Sequence, residues 1–313
     1  MQLRNEPLSR AGEGTLTRSL TVTERFRQWR QQHGSTLLLA APLLIYMAIV
    51  FAVPILLQIA FAFYTRELYK GVLWRPVPKF TLENFARAFS GSEPYLQSII
   101  WTVGVAFFTS TMSICLSLPV AYFLARYNPR GKSLIELSFL LPIFGDIFTL
   151  FALAFAFTPQ GPVNWLLMGL HLIQEPIQFI NGSPLGVILW MSVPTLSVLL
   201  IRSALVGVDV LYEEAAQTMG ANAFQTFIKV TLPLAKRGIM GALLLSVSAG
   251  VGAYTAPLIL VGPYNSWLSN KIFREITPFS NYPMASALGV ILTLVSFSFL
   301  YLYLRTQEVG GKS

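Results

Sequence analysis

Few residues in this sequence could perform acid–base or metal chemistry, and they are far apart. The chain has one cysteine, Cys115, which lies inside an apolar run. Because a disulfide or a thiolate metal cluster needs more than one cysteine, neither can form within the chain. His33 and His171 belong to no ligand spacing such as H-E-x-x-H. Neither a G-x-S-x-G turn nor a pair of aspartates within the apolar runs is present. We therefore predict no catalytic residue, no metal and no cofactor.

One carboxylate stands inside a segment rich in Leu, Phe and Ala. If this segment crosses a membrane, the charge of Asp146 costs about 3 kcal/mol at the helix centre, so the residue is expected to face a polar pathway. Trp190 and Tyr254 are further pathway candidates, since aromatic rings can bind a cation, although packing within a bundle would also explain them. Asp146 could instead cap a helix broken after Pro142 and Gly145, or pair with a partner subunit.

Two short helices separated by a glycine are predicted in the polar segment 209–238. Asp209 can cap a helix over Val210–Met219, and Gly220 suits the left-handed residue that ends it. A capping pair for the second helix is supplied by Asn222 and by Gln225, three residues later. We expect Pro233 to stop that helix. These residues alone would also fit a helix–glycine–helix elbow that only packs against the rest of the same chain.

The composition places most of the chain in lipid. Hydrophobic residues make up 54% and charged residues 12%, whereas ordinary soluble chains carry about 25% charged residues. A bilayer core about 30 Å thick requires roughly 20 apolar residues of helix, and the apolar runs lack the alternation of barrel strands. The sequence therefore predicts an all-α polytopic membrane bundle. Its six transmembrane helices are expected near 37–63, 95–124, 134–158, 184–203, 238–260 and 284–304.

Lys and Arg orient the predicted bundle. Fifteen lie on the side of the N-terminus and seven on the other side, which places both termini in the cytoplasm. The net charge of +8 is thus assigned to topology and not to nucleic-acid binding. The run 37–63 is too long for a cleavable signal peptide and is expected to remain as a span. Val163–Ile173, only eleven residues, fits an interfacial or re-entrant helix on the outer face.

The predicted organisation follows from these spans. A cytoplasmic segment, 1–36, precedes the first transmembrane helix, 37–63, and a periplasmic loop, 64–94. A core of five transmembrane helices, 95–304, includes the cytoplasmic loop 209–238. A cytoplasmic tail, 305–313, completes the chain. Gly250, Gly252, Ala253 and Pro257 are expected to thin and break the fifth helix, which would suit either a pathway wall or a close helix contact.

The loop 209–238 resembles the EAA loop of the permeases of ABC importers, whose pattern is E-A-A-x3-G-x9-I-x-L-P. The sequence has Val230 where the pattern has isoleucine. The spacing of the spans, Thr81–Phe85 before the second span and Ala256–Pro263 at the end of the fifth are similar to permeases of the spermidine/putrescine branch. The residues that match the loop pattern are Glu214, Ala215, Ala216, Gly220, Leu232 and Pro233.

This resemblance implies a type I importer fold and a function. The chain would form half of a solute pathway in the bacterial inner membrane, and the matching residues would be its ATPase-coupling residues. ATP hydrolysis would reside in an ABC ATPase dimer, beside a second permease subunit in a heterodimer and a periplasmic solute-binding protein. The solute would be a polyamine or a similar small organic cation. A secondary transporter or channel not driven by ATP would explain the spans and Asp146 but not the EAA pattern.

Overall fold

The computed structural model of the chain describes residues 40–69, 73–91, 94–127, 129–144, 146–263 and 265–308. The predicted cytoplasmic segment 1–36 and most of the tail 305–313 lie outside these residues. The chain divides into two compact units, Met1–Leu56 and Leu57–Ser313. In the first unit the described residues are helical and include a π-helical turn at Ala48–Ala52.

The described residues are mostly helical. The helices are α1 (Ala40–Ala62), α2 (Glu83–Phe89), α3 (Tyr95–Arg126), α4 (Lys132–Phe144), α5 (Asp146–Ala156), α6 (Pro162–Gly169), α7 (Leu185–Ser192), α8 (Leu196–Val206), α9 (Val210–Thr218), α10 (Ala223–Thr226), α11 (Leu232–Val251), α12 (Thr255–Leu260), α13 (Leu268–Ile276) and α14 (Tyr282–Glu308). The strands are β1 (Tyr64–Tyr69) and β2 (Leu73–Phe80).

Five helical segments in the described residues are long and apolar enough to cross a membrane. They are Ala40–Ala62, Tyr95–Arg126, Leu185–Val206, Ala223–Val251 and Tyr282–Arg305. A sixth span results if Lys132–Pro142 and Ile147–Ala156, which meet at a bend of 89°, are counted together. The predicted helical membrane bundle is therefore confirmed, with the third of the predicted spans sharply bent after Pro142, a residue type that weakens a helix.

A β-hairpin was not expected in a chain predicted as all-α. Strands β1 and β2 pair antiparallel within the segment predicted as the loop 64–94, with Glu67 opposite Arg75 and an irregularity at Tyr64 and Thr65. The amide of Asn84, on α2, donates to the carbonyls of Ala62 (3.0 Å) and Tyr64 (2.9 Å). This buried asparagine fixes α2 against the point where α1 gives way to the hairpin.

The expectation that Pro233 ends a helix is wrong. The chain is helical throughout Ala223–Val251, and Pro233 stands in the first turn of α11. A π-helical turn at Phe227–Thr231 joins α10 to α11, and the Leu232 amide donates to the Phe227 carbonyl. Because proline has no amide hydrogen, it suits the first turn of a helix, and the wider turn before it keeps the chain helical.

Two of the spans are interrupted. As the small residues predicted, the fifth span breaks at Gly252–Tyr254, between α11 and α12. The fourth span also breaks at Val193–Thr195, between α7 and α8, where Pro194 lacks an amide hydrogen. Non-helical backbone at membrane depth is tolerated where it is covered by protein or borders a polar cavity. Val193 and Thr195 at one break and Ala253 at the other line the same cavity between the helices, so both breaks border this open space.

The short apolar segment on the predicted outer face forms α6, which has eight residues and is too short to span a bilayer. Asn164, a residue of this helix, is fully buried. Its amide nitrogen donates to the carbonyls of Thr158 (3.1 Å) and Ile177 (2.9 Å), and its oxygen accepts from the Ile177 amide (2.8 Å). Trp165, on the same helix, leaves 75% of its surface exposed. The segment is thus anchored by one polar residue and presents apolar side chains outward.

Close helix contact at small residues forms the centre of the bundle. Leu124, Ile201 and Leu205 are fully buried where α3, α8 and α11 meet. Gly238, on α11, lies so near Ala204, on α8, that a methyl group at Gly238 would overlap the Ala204 methyl. The absence of a side chain at Gly238 is therefore required for the observed distance between these helices.

We expect Gly238→Ala to destabilise the bundle by about 1–3 kcal/mol, as overpacking generally does. The measurement is the thermal unfolding of the purified permease complex in detergent. Gly104→Ala is the matched control, because no atom lies within 4 Å of a methyl group added there. Equal melting temperatures for the Gly238 variant and the wild type would contradict the close contact.

Candidate functional site

The elbow between the fourth and fifth spans is built as the sequence predicts. Asp209 caps α9 by accepting from the Leu211 amide at 3.0 Å. Gly220 follows the helix with φ of +94°, a left-handed conformation that favours glycine. The second helix begins with a reciprocal capping box, in which the Gln225 amide donates to Asn222 Oδ1 (2.8 Å) and the Asn222 amide to Gln225 Oε1 (3.2 Å). These predictions are confirmed.

The outer face of the elbow carries apolar side chains with no cover in the described structure. The exposed side chains are Leu211, Tyr212, Met219 and Phe224. Met219 leaves 83% of its surface exposed. Glu214, Ala215 and Gly220 are exposed with them, whereas Ala216 is buried against the bundle. Several exposed apolar side chains on one short helical elbow are typical of a surface that binds another protein.

The inner face of the elbow is held by a buried ion pair. Glu213 is 4% exposed, and its Oε1 lies 2.7 Å from Nη2 of Arg126, the last residue of α3. The Arg126 Nε also donates to this carboxylate, at 3.0 and 3.1 Å. The Thr231 hydroxyl donates to Glu213 Oε1 (2.8 Å), and Arg126 Nη2 donates to the Val208 carbonyl (3.1 Å).

This ion pair joins three segments at one point. It connects the end of α3, the first turn of α9 and the π-helical turn before α11. The rings of Tyr122 on α3 and Phe227 in that turn also pack against each other, with their centroids 4.8 Å apart. Shared hydrogen bonds and low exposure make the pair much less screened than a surface salt bridge. The elbow is therefore bound to the bundle by a buried polar contact.

Sequence reasoning named Glu214 and missed Glu213. The two neighbouring carboxylates point about 100° apart on α9, so one faces the bundle and the other faces outward. The available signal was helical spacing, because Glu213 and Ala216 are three residues apart and both are buried. Nothing local identifies Arg126 as the partner, since 87 residues separate the two.

The solute-pathway candidates are placed differently from one another. Asp146 begins α5, but its side chain lies outside the described residues, so its predicted orientation remains a prediction. Trp190, at the end of α7, lines a cavity of about 390 Å³ between α3, α7, α8 and α11. Tyr254 lies at the break before α12, and its ring packs against Phe273 of α13 with centroids 5.5 Å apart.

A second ion pair lies between the bent third span and α8. Arg202 Nη2 is 3.3 Å from Glu136 Oε1, and both side chains are about 70% covered, with exposed fractions of 30% and 26%. Glu136 is a charged residue near the start of the third predicted span, 134–158. Its pairing lowers the cost of that charge within a membrane span.

A polar cluster closes the other end of the bundle at α13. The Tyr95 hydroxyl donates to Glu275 Oε1 (2.8 Å), and the Asn281 amide donates to Glu275 Oε2 (2.6 Å). Burial, followed by repulsion from Arg274, lowers the pKa of Lys271, while the charge of Glu275 opposes the shift. Glu275 therefore fixes α13 to the start of α3 and to the start of α14.

The fold and the elbow define a class of protein, and sequence comparison agrees. Residues 113–307 match the family "Binding-protein-dependent transport system inner membrane component", which covers more than half of the chain. The chain belongs to this family and is a permease subunit of an ABC importer, without an enzymatic activity of its own. A secondary transporter or an ATP-independent channel, the alternative considered above, is thereby set aside.

The chain is also similar to individual permeases and to a solved transporter. It is 25% identical over 261 residues to the spermidine/putrescine transport system permease protein PotB of Haemophilus influenzae, covering 82% of this chain and 88% of that one. It is 28% identical over 288 residues to the inner membrane ABC transporter permease protein YdcU of Escherichia coli K12, covering 87% and 88%. A bacterial ABC transporter involved in alginate import has the same fold, with a TM-score of 0.70, 20% identity and coverage of 91% and 99%.

Removing one partner of the ion pair should destabilise the permease strongly. We expect Arg126→Ala or Glu213→Ala to cost about 3–5 kcal/mol, because each leaves a buried charge without its partner. The measurement is thermal unfolding of the purified complex. Glu214→Ala is the control on the exposed neighbour and should change stability by less than about 0.5 kcal/mol.

The double variant Arg126→Met with Glu213→Gln separates charge burial from general damage. It removes both charges and keeps an acceptor for the Thr231 hydroxyl, so stability should recover towards that of the wild type. Double-variant stability no better than that of the single variants would show that the ion pair is not the cause.

Proposed function

We propose that this permease imports a small organic cation, a polyamine or a close analogue, by coupling to a partner ABC ATPase. The complete transporter would contain this chain, a second permease subunit in a heterodimer, an ATPase dimer and a periplasmic solute-binding protein. The proposal is supported by family membership, by relatives whose names specify spermidine and putrescine, and by the geometry of the elbow.

The observation that carries the coupling proposal is the two-sided elbow. Its inner face is fixed by the ion pair of Glu213, and its outer face presents Glu214 among exposed apolar side chains. An anchored element with an uncovered face can pass a displacement from a docked partner to the spans, because the anchor joins the elbow to both α3 and α11. Glu214, Ala215 and Gly220, which are exposed, are the residues proposed to meet the ATPase, whereas Ala216, expected from the motif to do so, is buried and supports them from the bundle side. Leu232 and Pro233 begin α11 behind them, half-buried and exposed respectively.

The proposed topology places both termini and the elbow in the cytoplasm. Lys and Arg are in excess on that side of the predicted spans, as membrane insertion favours. The β-hairpin, α6 and α13 then face the periplasm, where a solute-binding protein docks. The proposed domain organisation keeps the boundaries predicted above, with the core permease in 95–304.

The solute class rests on different support from the coupling role. The PotB relatives are named for polyamine transport, whereas the alginate transporter shares only the fold with this chain at 20% identity. Asp146 places a carboxylate within a predicted span, where its negative charge would attract a cationic solute. Pathway roles for Asp146, Trp190 and Tyr254 are parts of this proposal.

Gly220→Val should abolish most transport while leaving membrane insertion intact. Valine is strained at a φ of +94°, and its side chain would project from the elbow into open space, where the ATPase is proposed to sit. We expect spermidine uptake into proteoliposomes containing the full complex to fall at least about tenfold, which a loss of about 1.4 kcal/mol would produce.

Gly131→Val provides the matched control for that experiment. Gly131 has a φ of +85° and open space around it, but it lies outside the elbow, between α3 and α4. This variant should carry similar backbone strain without blocking the ATPase, and should therefore retain uptake. Normal uptake by the Gly220→Val complex would remove the elbow from the coupling mechanism.

Asp146→Asn tests the solute class. Asparagine keeps a hydrogen-bond acceptor for a helix cap and removes the charge, so a structural cap should tolerate the change and a cation pathway should not. We expect a selective loss of spermidine uptake with normal assembly of the complex. Wild-type uptake by the variant, or a cognate solute that proves to be an anion, would assign Asp146 a structural role.

A further inference from the structure

Six of the thirteen residues that line the 390 Å³ cavity beside Trp190 carry a hydroxyl group. It lies where α3 and α11 pass the break between α7 and α8. Its polar lining residues are Thr109, Ser110, Ser113, Thr195, Ser197 and Ser246. No side chain with a formal charge is among its lining residues in the described structure. A cavity of this size and polarity is within the range of small-molecule sites.

Part of this lining is already committed to holding the helices together. The hydroxyls of Ser113 and Ser197 are 2.9 Å apart, and that of Ser117 is 2.7 Å from Ser197. Thr109 donates back to the Val105 carbonyl at 2.8 Å. These bonds fix α3 against α8 and orient the wall of the cavity.

Other hydroxyls lining the cavity have no such role. Ser110 is 4% exposed, yet its hydroxyl makes no hydrogen bond to any residue that the structure describes. The same holds for Thr195 and Ser246 within those residues. Hydroxyls that line a cavity and have no protein partner keep their hydrogen-bonding capacity free for a molecule that enters it.

We propose that this hydroxyl cavity receives a protonated amine group of the solute during import. Hydroxyl oxygens accept hydrogen bonds from an ammonium group, and the indole ring of Trp190 offers a cation–π contact. The proposal deepens the function proposed above and rests on it, because it assumes a cationic solute. It adds a site on this chain that contains no carboxylate.

The neutral lining explains how such a site would release its ligand. A carboxylate would hold an ammonium group strongly in a low-dielectric cavity, whereas hydroxyl groups bind it through weaker contacts. The first turn of α8, whose amide groups carry a positive partial charge, also borders the cavity and limits the affinity for a cation further. Passage requires binding that is favourable enough for entry and weak enough for exit.

Cysteine accessibility in the full complex tests the site. The native Cys115 is exposed and must first be replaced by alanine. Ser110→Cys is then compared with Thr111→Cys, the next residue on α3, whose hydroxyl bonds the Phe107 carbonyl at 2.8 Å and is exposed outside the cavity. The probe is a methanethiosulfonate that carries an ammonium group, applied during ATP-driven turnover with and without spermidine.

The expected result is modification at Ser110→Cys that slows at least about threefold with spermidine, while modification at Thr111→Cys is unchanged by it. Ser110→Ala should raise the spermidine concentration for half-maximal uptake about tenfold, the loss expected for one hydrogen bond to a charged group. Ser298→Ala, on the exposed face of α14, should leave that concentration unchanged.

Two failures lead to different conclusions. If the wild-type complex imports spermidine but Ser110→Cys is unreactive or unprotected, the cavity site is overturned and the proposed function stands. If the wild-type complex imports neither spermidine nor putrescine, the polyamine assignment is wrong, and the assignment of an amine to this cavity falls with it.

Discussion

The ion pair between Arg126 and Glu213 is the contact on which the functional geometry depends. It is buried at the end of α3, and its carboxylate also accepts from Thr231 in the turn that leads into α11. Apart from this pair, the elbow is joined to the spans by its two covalent ends and by apolar packing at Ala216 and Phe227. Through the ion pair, the elbow, α3 and α11 share a single polar centre, so a displacement of one must be accommodated by the others.

The spans that meet at this centre are also the ones that enclose the hydroxyl cavity. The long helix α3 carries Ser110 and Ser113 on the cavity wall and ends further along at Arg126. Close helix contact continues along α11, where Gly238 packs against α8 and Gly250 against Ala106 of α3. The proposed coupling surface and the proposed solute site therefore lie at two positions along the same packed helices, without a loop between them.

Local signals in the sequence predicted the elbow well. Helix caps and left-handed glycines depend on residues three or four positions apart, so Asp209, Asn222 with Gln225, and Gly220 could be interpreted from their neighbours. The spans were likewise predictable from apolar length. The hairpin was not, because Pro76 and Pro78 obscure the pattern of β2. Contacts between distant residues, such as Arg126 with Glu213, leave no trace in a single sequence. The π-helical turn at Phe227–Thr231 is not predictable locally, because Pro233 after a helical run favours the end of a helix.

That π-helical turn alters the angular relation between the two ends of one helix. A single extra residue within an α-helix advances the direction of the following side chains by about 100°. The side-chain pattern of the elbow is therefore out of phase with that of α11, although the backbone is helical across Ala223–Val251. Deleting one residue from this turn would keep the helix continuous but rotate the elbow around its axis. The direction in which the elbow side chains point relative to α11 therefore depends on the number of residues in the turn Phe227–Thr231 as well as on their identity.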